Sequence, residues 1–254
     1  EYVSELSLQN VEDLKTIVEW NNFKDIKLFR LSSQIFPWME EYRFEDLKDF
    51  GKIKSLMEEI GQIATKAGQR LTMHPGPYHC LASPSLNVVE RTIKGLDKHA
   101  EQFDMMEFEP SNYNKINIHI GGAYGDKEAA LDRFCKNFKL LGESTRKRLV
   151  VENDDSPNEF SVKDLYEGVY KKIGIPVTFD YFHHKFNTGG LTEEEALKLA
   201  STTWPEGVTQ CCHYSESRRK EKLDESIRPQ AHSDIIYDSI NTYGLNPDIV
   251  IEAK

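Results

Sequence analysis

Extended and helical patterns alternate along this chain, and the extended runs carry, one after another, a histidine or an acid at or near their C-terminal ends. The runs are RLTMH (Arg70 to His74), KINIHI (Lys115 to Ile120), RLVVE (Arg148 to Glu152), PVTFDYF (Pro176 to Phe182), VTQCCH (Val208 to His213) and DIVIE (Asp248 to Glu252). Strands interleaved with helices imply a parallel sheet, because each crossover needs room for a helix. In a (β/α) barrel the C-terminal tips of the strands form the working rim. The pattern therefore predicts an α/β fold, a TIM-type (β/α)8 barrel, with residues 1–254 as a single domain.

Amphipathic patterns predict helices over Val11 to Trp20, Asp46 to Ala67, Leu86 to Phe103, Lys127 to Leu141, Ser161 to Lys172, Thr192 to Thr202 and Ser233 to Tyr243. Lys27 to Ser33 adds an earlier strand, which brings the count of extended runs to seven. A closed barrel of this type needs eight. The expectation is that the first strand lies upstream of Glu1 or is very short, near Tyr2 to Leu6. No repeat and no Gly-, Ser- or Pro-rich linker divides the sequence.

Side chains along a strand alternate with a period of two. Counting back from each tip sets Thr72 with His74, Asn117 with His119, Val150 with Glu152, Thr178 with Asp180, and Cys211 with His213. If the tip residues point into the barrel mouth, these strands deliver metal-type ligands to one place. His183 follows three residues after Asp180, His232 precedes the last predicted helix, and Glu252 completes the rim. A lone histidine at a strand end is usually a hydrogen-bonded structural residue, and a lone Glu152 or Asp180 could serve a turn. Unrelated structural causes would not place metal-competent residues at successive tips. Imidazole mixed with carboxylate, without dedicated thiolates, suits Mn²⁺, Fe²⁺ or Zn²⁺ and disfavours Ca²⁺. The inventory can hold two or three ions sharing a bridging carboxylate, and the chemistry that most needs such a cluster is phosphodiester hydrolysis.

The bulk numbers restrict the alternatives. A formal charge of −10 argues against simple electrostatic adhesion to nucleic acid, an inference that bound cations would weaken. Four scattered cysteines (Cys80, Cys135, Cys211, Cys212) do not make a disulfide framework, so an intracellular, reducing compartment, cytoplasm or nucleus, is expected. No apolar run approaches the roughly 20 residues of a membrane span, and no signal peptide is visible.

At this point the motifs themselves align with a family. FRLSS (Phe29 to Ser33), HPGPY (His74 to Tyr78), IHIGG (Ile118 to Gly122), VENDD (Val151 to Asp155), DYFHH (Asp180 to His184), HYS (His213 to Ser215), HSD (His232 to Asp234) and EAK (Glu252 to Lys254) occur in order. Any one is weak; the ordered set is specific and spans nearly the whole chain. Together they resemble the UV damage endonucleases, barrel enzymes similar to endonuclease IV. The resemblance implies a site for about three divalent ions, usually manganese, with zinc or magnesium as alternatives. It implies incision of lesion-bearing duplex DNA immediately 5′ to a UV photoproduct, leaving a 3′-hydroxyl and a 5′-phosphate, and abasic sites are a possible further substrate. Carried over by position, His74, His119 and Glu152 match the first ion's ligands. Glu152 would bridge to a second ion held by Asp180, His213 and Glu252, and His183 with His232 would hold the third. Glu152, His119 and Asp180 are the residues expected to matter most for catalysis. The expected partner is duplex DNA, with no membrane, and the expected state is a monomer.

Two positions depart from the family pattern. Pro77 precedes Tyr78 where the family typically has glutamine before the tyrosine that enters the duplex at the lesion. Tyr78 can still act as an aromatic wedge, and Pro77 stiffens its loop. Cys211 stands where the family tends to carry a lysine near the metals; it is either a small buried core residue or a thiolate within reach of an ion. His184, next to His183, could support the ligands from behind. Arg218 and Arg219, in the mildly positive loop from Tyr214 to Ala231, are candidate phosphate contacts, as is the Arg146 to Arg148 cluster. That cluster falls at the N-terminal end of its strand and so on the face opposite the rim. Two other classes compete. A sugar isomerase or epimerase of the xylose-isomerase type would use the quartet Glu152, Asp180, His213 and Glu252 but has no need of the remaining histidines. A damage-binding protein that has lost catalysis is the other, and an ion count separates the enzyme readings.

Overall fold

The structure is a computed structural model and describes residues 1–253. In chain order the elements are α1 (Tyr2–Phe23), β1 (Leu28–Leu31), α2 (Phe50–Ala67), β2 (Arg70–Met73), α3 (Leu86–Met105), β3 (Ile116–Ile118), α4 (Lys127–Phe138), α5 (Glu143–Arg148) and β4 (Leu149–Glu152). They continue as α6 (Val162–Leu165), α7 (Lys171–Ile173), β5 (Val177–Thr178), α8 (Tyr181–His184), α9 (Glu193–Ser201), β6 (Cys211–Tyr214), α10 (Arg218–Lys222) and β7 (Asp248–Ile251). The strands pair in parallel, as strands separated by crossover helices must. The chain divides into two compact units.

The first unit comprises Glu1–Ile118 and Asn137–Leu149. In α1 the buried positions Ser4, Ser7, Val11, Leu14, Val18 and Asn21 recur every three or four residues, which is one face of a helix. This corrects the expected short strand near Tyr2 to Leu6, whose residues form the first turns of α1. Helix α2 buries Ile53, Met57, Ile60, Gly61 and Ala64 and ends at Gly68, whose φ of +64° is the left-handed closure that glycine adopts without strain. Gly61 allows a close approach: a Cβ there would lie 1.9 Å from the Met106 carbonyl oxygen. Strand β1 pairs with β2 in register Leu28↔Arg70 to Leu31↔Met73, and Met73 pairs on to Ile116 of β3. The Arg146 to Arg148 cluster is spent on the fold. Arg148 is fully buried, with Nη2 2.9 Å from Asp104 Oδ1 and 2.6 Å from the Phe108 carbonyl. Arg146 donates to the Lys139 carbonyl and Lys147 pairs with Glu143.

The second unit comprises His119–Lys136 and the residues from Val150 on. Here β4 and β5 pair as Val151↔Val177 and Glu152↔Thr178, and β6 and β7 as Cys211↔Asp248 to Tyr214↔Ile251. The line of β5 reaches β6 through a single bridge, Asp180↔His213, made by the His213 amide on the Phe179 carbonyl at 2.9 Å. The extended run expected to reach Phe182 stops earlier because Asp180 is an N-cap. Its side chain accepts from the His183 amide at 2.7 Å and so begins α8.

Two helix expectations need correction. Ser161 to Lys172 is not one uniform helix: a π-turn at Tyr166–Tyr170 separates α6 from α7. Ser233 to Tyr243 forms no helix at all. Its short polar side chains take backbone partners that a helix would need. Ser233 Oγ accepts from the Ile235 amide at 3.1 Å, and Asn241 Oδ1 accepts from the Tyr243 amide at 2.9 Å. The Tyr237 hydroxyl donates to the Ser217 carbonyl at 3.1 Å and ties the segment down. In exchange, the loop after Tyr214 contains the unexpected α10, capped by Ser217 Oγ on the Lys220 amide.

Candidate metal centre

Strand ends and the turns directly after them place the site residues. Glu152 closes β4, His213 lies inside β6, and Glu252 follows β7 with its amide on the Tyr214 carbonyl at 2.8 Å. Asp180 and His183 are three residues apart across the first turn of α8, so the cap that starts this helix also fixes their spacing. His119 directly follows β3, and His232 arrives from the irregular segment, held by a bridge to Ser217.

Glu152 is the hub, 1 % exposed. Its Oε1 lies 3.4 Å from His183 Nδ1; its Oε2 lies 3.1 Å from His213 Nδ1 and 3.9 Å from His119 Nε2. Glu252 faces the same place, with Oε1 3.5 Å from His213 Nδ1 and Oε2 3.7 Å from His232 Nδ1. The rings of His119 and His183 are 5.6 Å apart, and those of His183 and His232 are 6.1 Å apart. Two sets bring ligand atoms within 4.8 Å of one another: His119 with Glu152 and His183, and Asp180 with His213 and Glu252. His74 belongs to the first unit, directly after β2, with Nδ1 3.1 Å from the Pro75 carbonyl.

The electrostatics follow from crowding charges away from water. Burial alone would lower the pKa of His119, but the Glu152 carboxylate, with Asp154 and Asp180, reverses that and lifts it to about 10. His183 is raised in the same way, with Asp180 and Glu152 outweighing its burial. Burial pushes the carboxyl of Asp180 up, opposed by His183 and reinforced by Glu152 and Glu252. Carboxylates that draw protons onto imidazoles draw divalent cations by the same field. The donor set fits such ions. Asp180 Oδ2 is buried and makes no hydrogen bond, an expensive state for a carboxylate oxygen that a cation would relieve. Mixed nitrogen and carboxylate donors match the borderline transition metals.

Two residues of the same loop position the ligands, and the strand-tip pattern misses both. Asp154 Oδ1 lies 2.8 Å from His119 Nδ1, while Asp154 Oδ2 accepts from the Phe160 amide at 3.1 Å. The carboxylate thus holds one ring nitrogen and leaves Nε2 directed at Glu152. Asn153 clamps Asp180 from both sides: its Oδ1 accepts from the Asp180 amide at 2.8 Å and its Nδ2 donates to the Asp180 carbonyl at 3.1 Å. The Asn153 carbonyl also lies 2.8 Å from His183 Nδ1. Their only signal in the sequence is adjacency to Glu152 in ENDD.

The remaining candidates divide. Cys211 is fully buried in β6 and belongs to none of the ligand sets found among the described residues. His184 turns from the ligands into the core, against the Phe179 ring at 5.4 Å, and burial lowers its pKa. Arg218 is held by Asp234 at 2.6 Å, and Arg219 by Glu225 and the Ile227 carbonyl, so both arginines tie their own loop together. Pro77 and Tyr78 stand in the first unit after β2, where the Tyr78 ring is 89 % exposed.

A UV-damage endonuclease of Schizosaccharomyces pombe is 38 % identical over 100 % of this chain and 43 % of its own length. A UV DNA damage endonuclease of Clostridium perfringens is 33 % identical over 98 % of this chain and 60 % of its own length. The chain therefore spans about half the length of these curated relatives. The crystal structure of SacUVDE superposes with a TM-score of 0.85 at 33 % identity, covering 100 % of this chain and 83 % of that one. A D-psicose 3-epimerase of Clostridium cellulolyticum superposes with a TM-score of 0.56 at 14 % identity, covering 80 % and 68 %. That likeness concerns the fold alone, and it agrees with the expected (β/α)8-type barrel. The sequence model described as UV-endonuclease UvdE matches residues 1–254, and the chain belongs to that family.

Proposed function

We propose that this chain is a metal-dependent DNA repair endonuclease that hydrolyses the phosphodiester immediately 5′ to UV photoproducts in duplex DNA, leaving a 3′-hydroxyl and a 5′-phosphate. The observation that carries the reading is Glu152, buried and within 3.9 Å of three imidazoles, with Asp180 and Glu252 grouped around one of them. Family membership and relatives named for UV damage support the substrate class.

His74, His119, Glu152, Asp180, His183, His213, His232 and Glu252 would hold the ions, about three of them, with Mn²⁺ the proposed metal. Bound divalent ions supply Lewis acidity, which makes water a nucleophile at neutral pH and takes up charge on phosphoryl oxygens. The chain's own task is to keep that cluster rigid and dry. Asp154 fixes the ring of His119, Asn153 fixes Asp180 and His183, and burial of Glu152 and Asp180 excludes competing water. Tyr78, exposed on a loop stiffened by Pro75 and Pro77, would enter the duplex at the distorted step. We further propose a monomer acting on DNA inside the cell. Among the described residues no helix is long and apolar enough to cross a membrane.

A sugar epimerase shares the fold, but its reading leaves His119, His183 and His232 without a purpose at the centre. The test is incision of defined duplexes carrying a cyclobutane dimer, a 6-4 product or an abasic site, with Mn²⁺ present. Nicking 5′ to the dimer is expected, with loss of nicking in His119→Ala and Glu152→Ala. Intact dimer-bearing DNA after incubation with the Mn²⁺-loaded protein would overturn the proposal.

A further inference from the structure

Strand ends and the turns after them place the other candidate ligands of the second unit, but His232 lies well inside the segment between β6 and β7. A metal ligand must be held within about 0.5 Å of its productive position. Irregular backbone has no ladder to do this, so other groups must fix the imidazole.

The first support is a backbone bridge. His232 stands opposite Ser217 in antiparallel pairing, flanked by the Arg218 amide on the Ala231 carbonyl at 2.9 Å and the Ser233 amide on the Glu216 carbonyl at 2.8 Å. Two such bonds alone would fray, since even a complete two-stranded hairpin is marginal in water. Two side chains pin the bridge, one on each of its strands. The Tyr237 hydroxyl accepts from the Ser217 amide at 3.2 Å and donates to the Ser217 carbonyl at 3.1 Å. Glu221 Oε2 accepts from the Ser233 hydroxyl at 2.6 Å and from the Asp234 amide at 3.0 Å. One carboxylate oxygen thus holds both residues that follow His232.

Glu221 differs from its neighbours in α10. The side chains of Lys220 and Lys222 are 64 % and 50 % exposed, whereas that of Glu221 is 9 % exposed and turned onto the bridge. Hydrogen bonds to an ionised carboxylate are about twice as strong as neutral ones, which suits a group that must keep a short segment still. With its backbone fixed, the His232 ring packs edge-on against Phe182 with centroids 5.5 Å apart, and its Nδ1 lies 3.7 Å from Glu252 Oε2.

We propose that Glu221 and Tyr237 are positioning residues that act through His232, and that the ion His232 helps to hold is the one whose affinity depends on them. The inference rests on the metal-dependent reading of the centre. Neither residue belongs to a ligand set found among the described residues, so their influence on an ion passes through the imidazole. Glu152, Asp180 and His213 are held by β4, the cap of α8 and β6, and do not share these supports. The effect is therefore confined to one ion.

The test titrates the chelator-treated whole chain with Mn²⁺ and reads free ion from the electron paramagnetic resonance of aqueous Mn²⁺. His232→Ala identifies the binding step to which His232 contributes. Glu221→Ala and Tyr237→Phe should each weaken that step roughly 10–100-fold and leave the others unchanged. Glu221→Gln, whose amide oxygen can still accept from Ser233 and Asp234, should restore most of the affinity. In the His232→Ala background Glu221→Ala should add nothing, as expected of a residue that acts only through that ring. A residue that merely stabilises the loop would lower the melting temperature in EDTA and spare the Mn²⁺ isotherm, or would weaken every step alike. Either result in either variant overturns the proposal, as does an additive effect in the double variant or an unchanged isotherm in His232→Ala. If Glu221→Ala proves unfolded by circular dichroism, Tyr237→Phe, which removes a single oxygen, carries the same comparison. A parent that binds no Mn²⁺ sinks the centre and this inference together. A parent that binds it while Glu221→Ala and Tyr237→Phe match it sinks the inference alone.

Discussion

Adding Mn²⁺ to the chelator-treated protein should raise its melting temperature, and Glu152→Gln should remove most of that rise. Glu152, Asp180 and Glu252 are each no more than 6 % exposed, and their carboxylates face one another among histidines. Ions that bind the folded state and not the unfolded chain stabilise by mass action, about 2.7 kcal/mol for one site at a hundredfold excess over Kd. For a chain of this size about 1 kcal/mol moves the melting temperature by roughly 2–4 °C, so a single ion gives a rise of roughly 5–10 °C. Glutamine keeps the volume of Glu152 but removes the charge and one of the two oxygens that face His183 on one side and His119 and His213 on the other. Scanning calorimetry after dialysis against EDTA, with and without Mn²⁺, measures both quantities. An identical rise in parent and Glu152→Gln would refute the assignment of Glu152 as the hub, and no rise in the parent at millimolar Mn²⁺ would refute the centre itself.

Three further outcomes test the geometry elsewhere. Asp154→Ala, which frees the His119 ring, should weaken Mn²⁺ binding roughly 10–100-fold in a chelator competition; unchanged affinity would remove Asp154 from the site. Gly61→Ala should destabilise the fold by about 1–3 kcal/mol in urea unfolding, because its methyl meets the Met106 carbonyl at 1.9 Å, and an unchanged midpoint would contradict that close approach. His99 is held down to a pKa of about 3 by burial, with the neighbouring His79 adding to the effect and the Gly95 carbonyl opposing it. Its folded pKa lies below its ordinary value of 6.5, so the unfolded chain takes up the proton first. Stability from this group is complete above pH 6.5 and is lost as the pH falls toward 3, by about 2 kcal/mol between pH 8 and pH 5. Urea midpoints of the parent and His99→Gln at both pH values isolate the term, and parallel pH dependences would show it is absent.

The sequence made the candidate ligands readable because their chemistry is rare at strand ends and their repetition is rarer still. Glu152, His213 and Glu252 stand where period-two counting puts them, on β4, in β6 and after β7. What the pattern could not resolve was any residue with two local uses. Asp180 reads as the tip of an extended run, yet its side chain begins a helix, so β5 ends at Thr178. The Ser233 to Tyr243 segment has helical spacing, but the Ser233 and Asn241 side chains offer the backbone other partners, the Asp238 amide donates to Glu216 Oε1, and the Ser217 carbonyl accepts from the Tyr237 hydroxyl. Periodicity registers where apolar groups recur. It does not register competition for a single amide.

The same distinction explains why the end of β4 and the turn after it carry more of the candidate centre than their composition suggests. Three consecutive residues there meet four of the candidate ligands: Glu152 meets His119, His183 and His213, Asn153 holds Asp180 and His183, and Asp154 holds His119. Alternation along β4 continues past its end, so Glu152 and Asp154 both face the histidines while Asn153 reaches sideways to the next strand line. The pairing Glu152↔Thr178 sets that arrangement, since it fixes how far Asn153 extends beyond β5 and therefore which amide it can clamp. A slip of one residue would turn Glu152 away and point Asn153 inward, exchanging a charged hub for a neutral amide. Register at one strand pair thus decides whether Glu152 joins the histidines, and the candidate ligands of β6 and β7 have nothing to converge on without it.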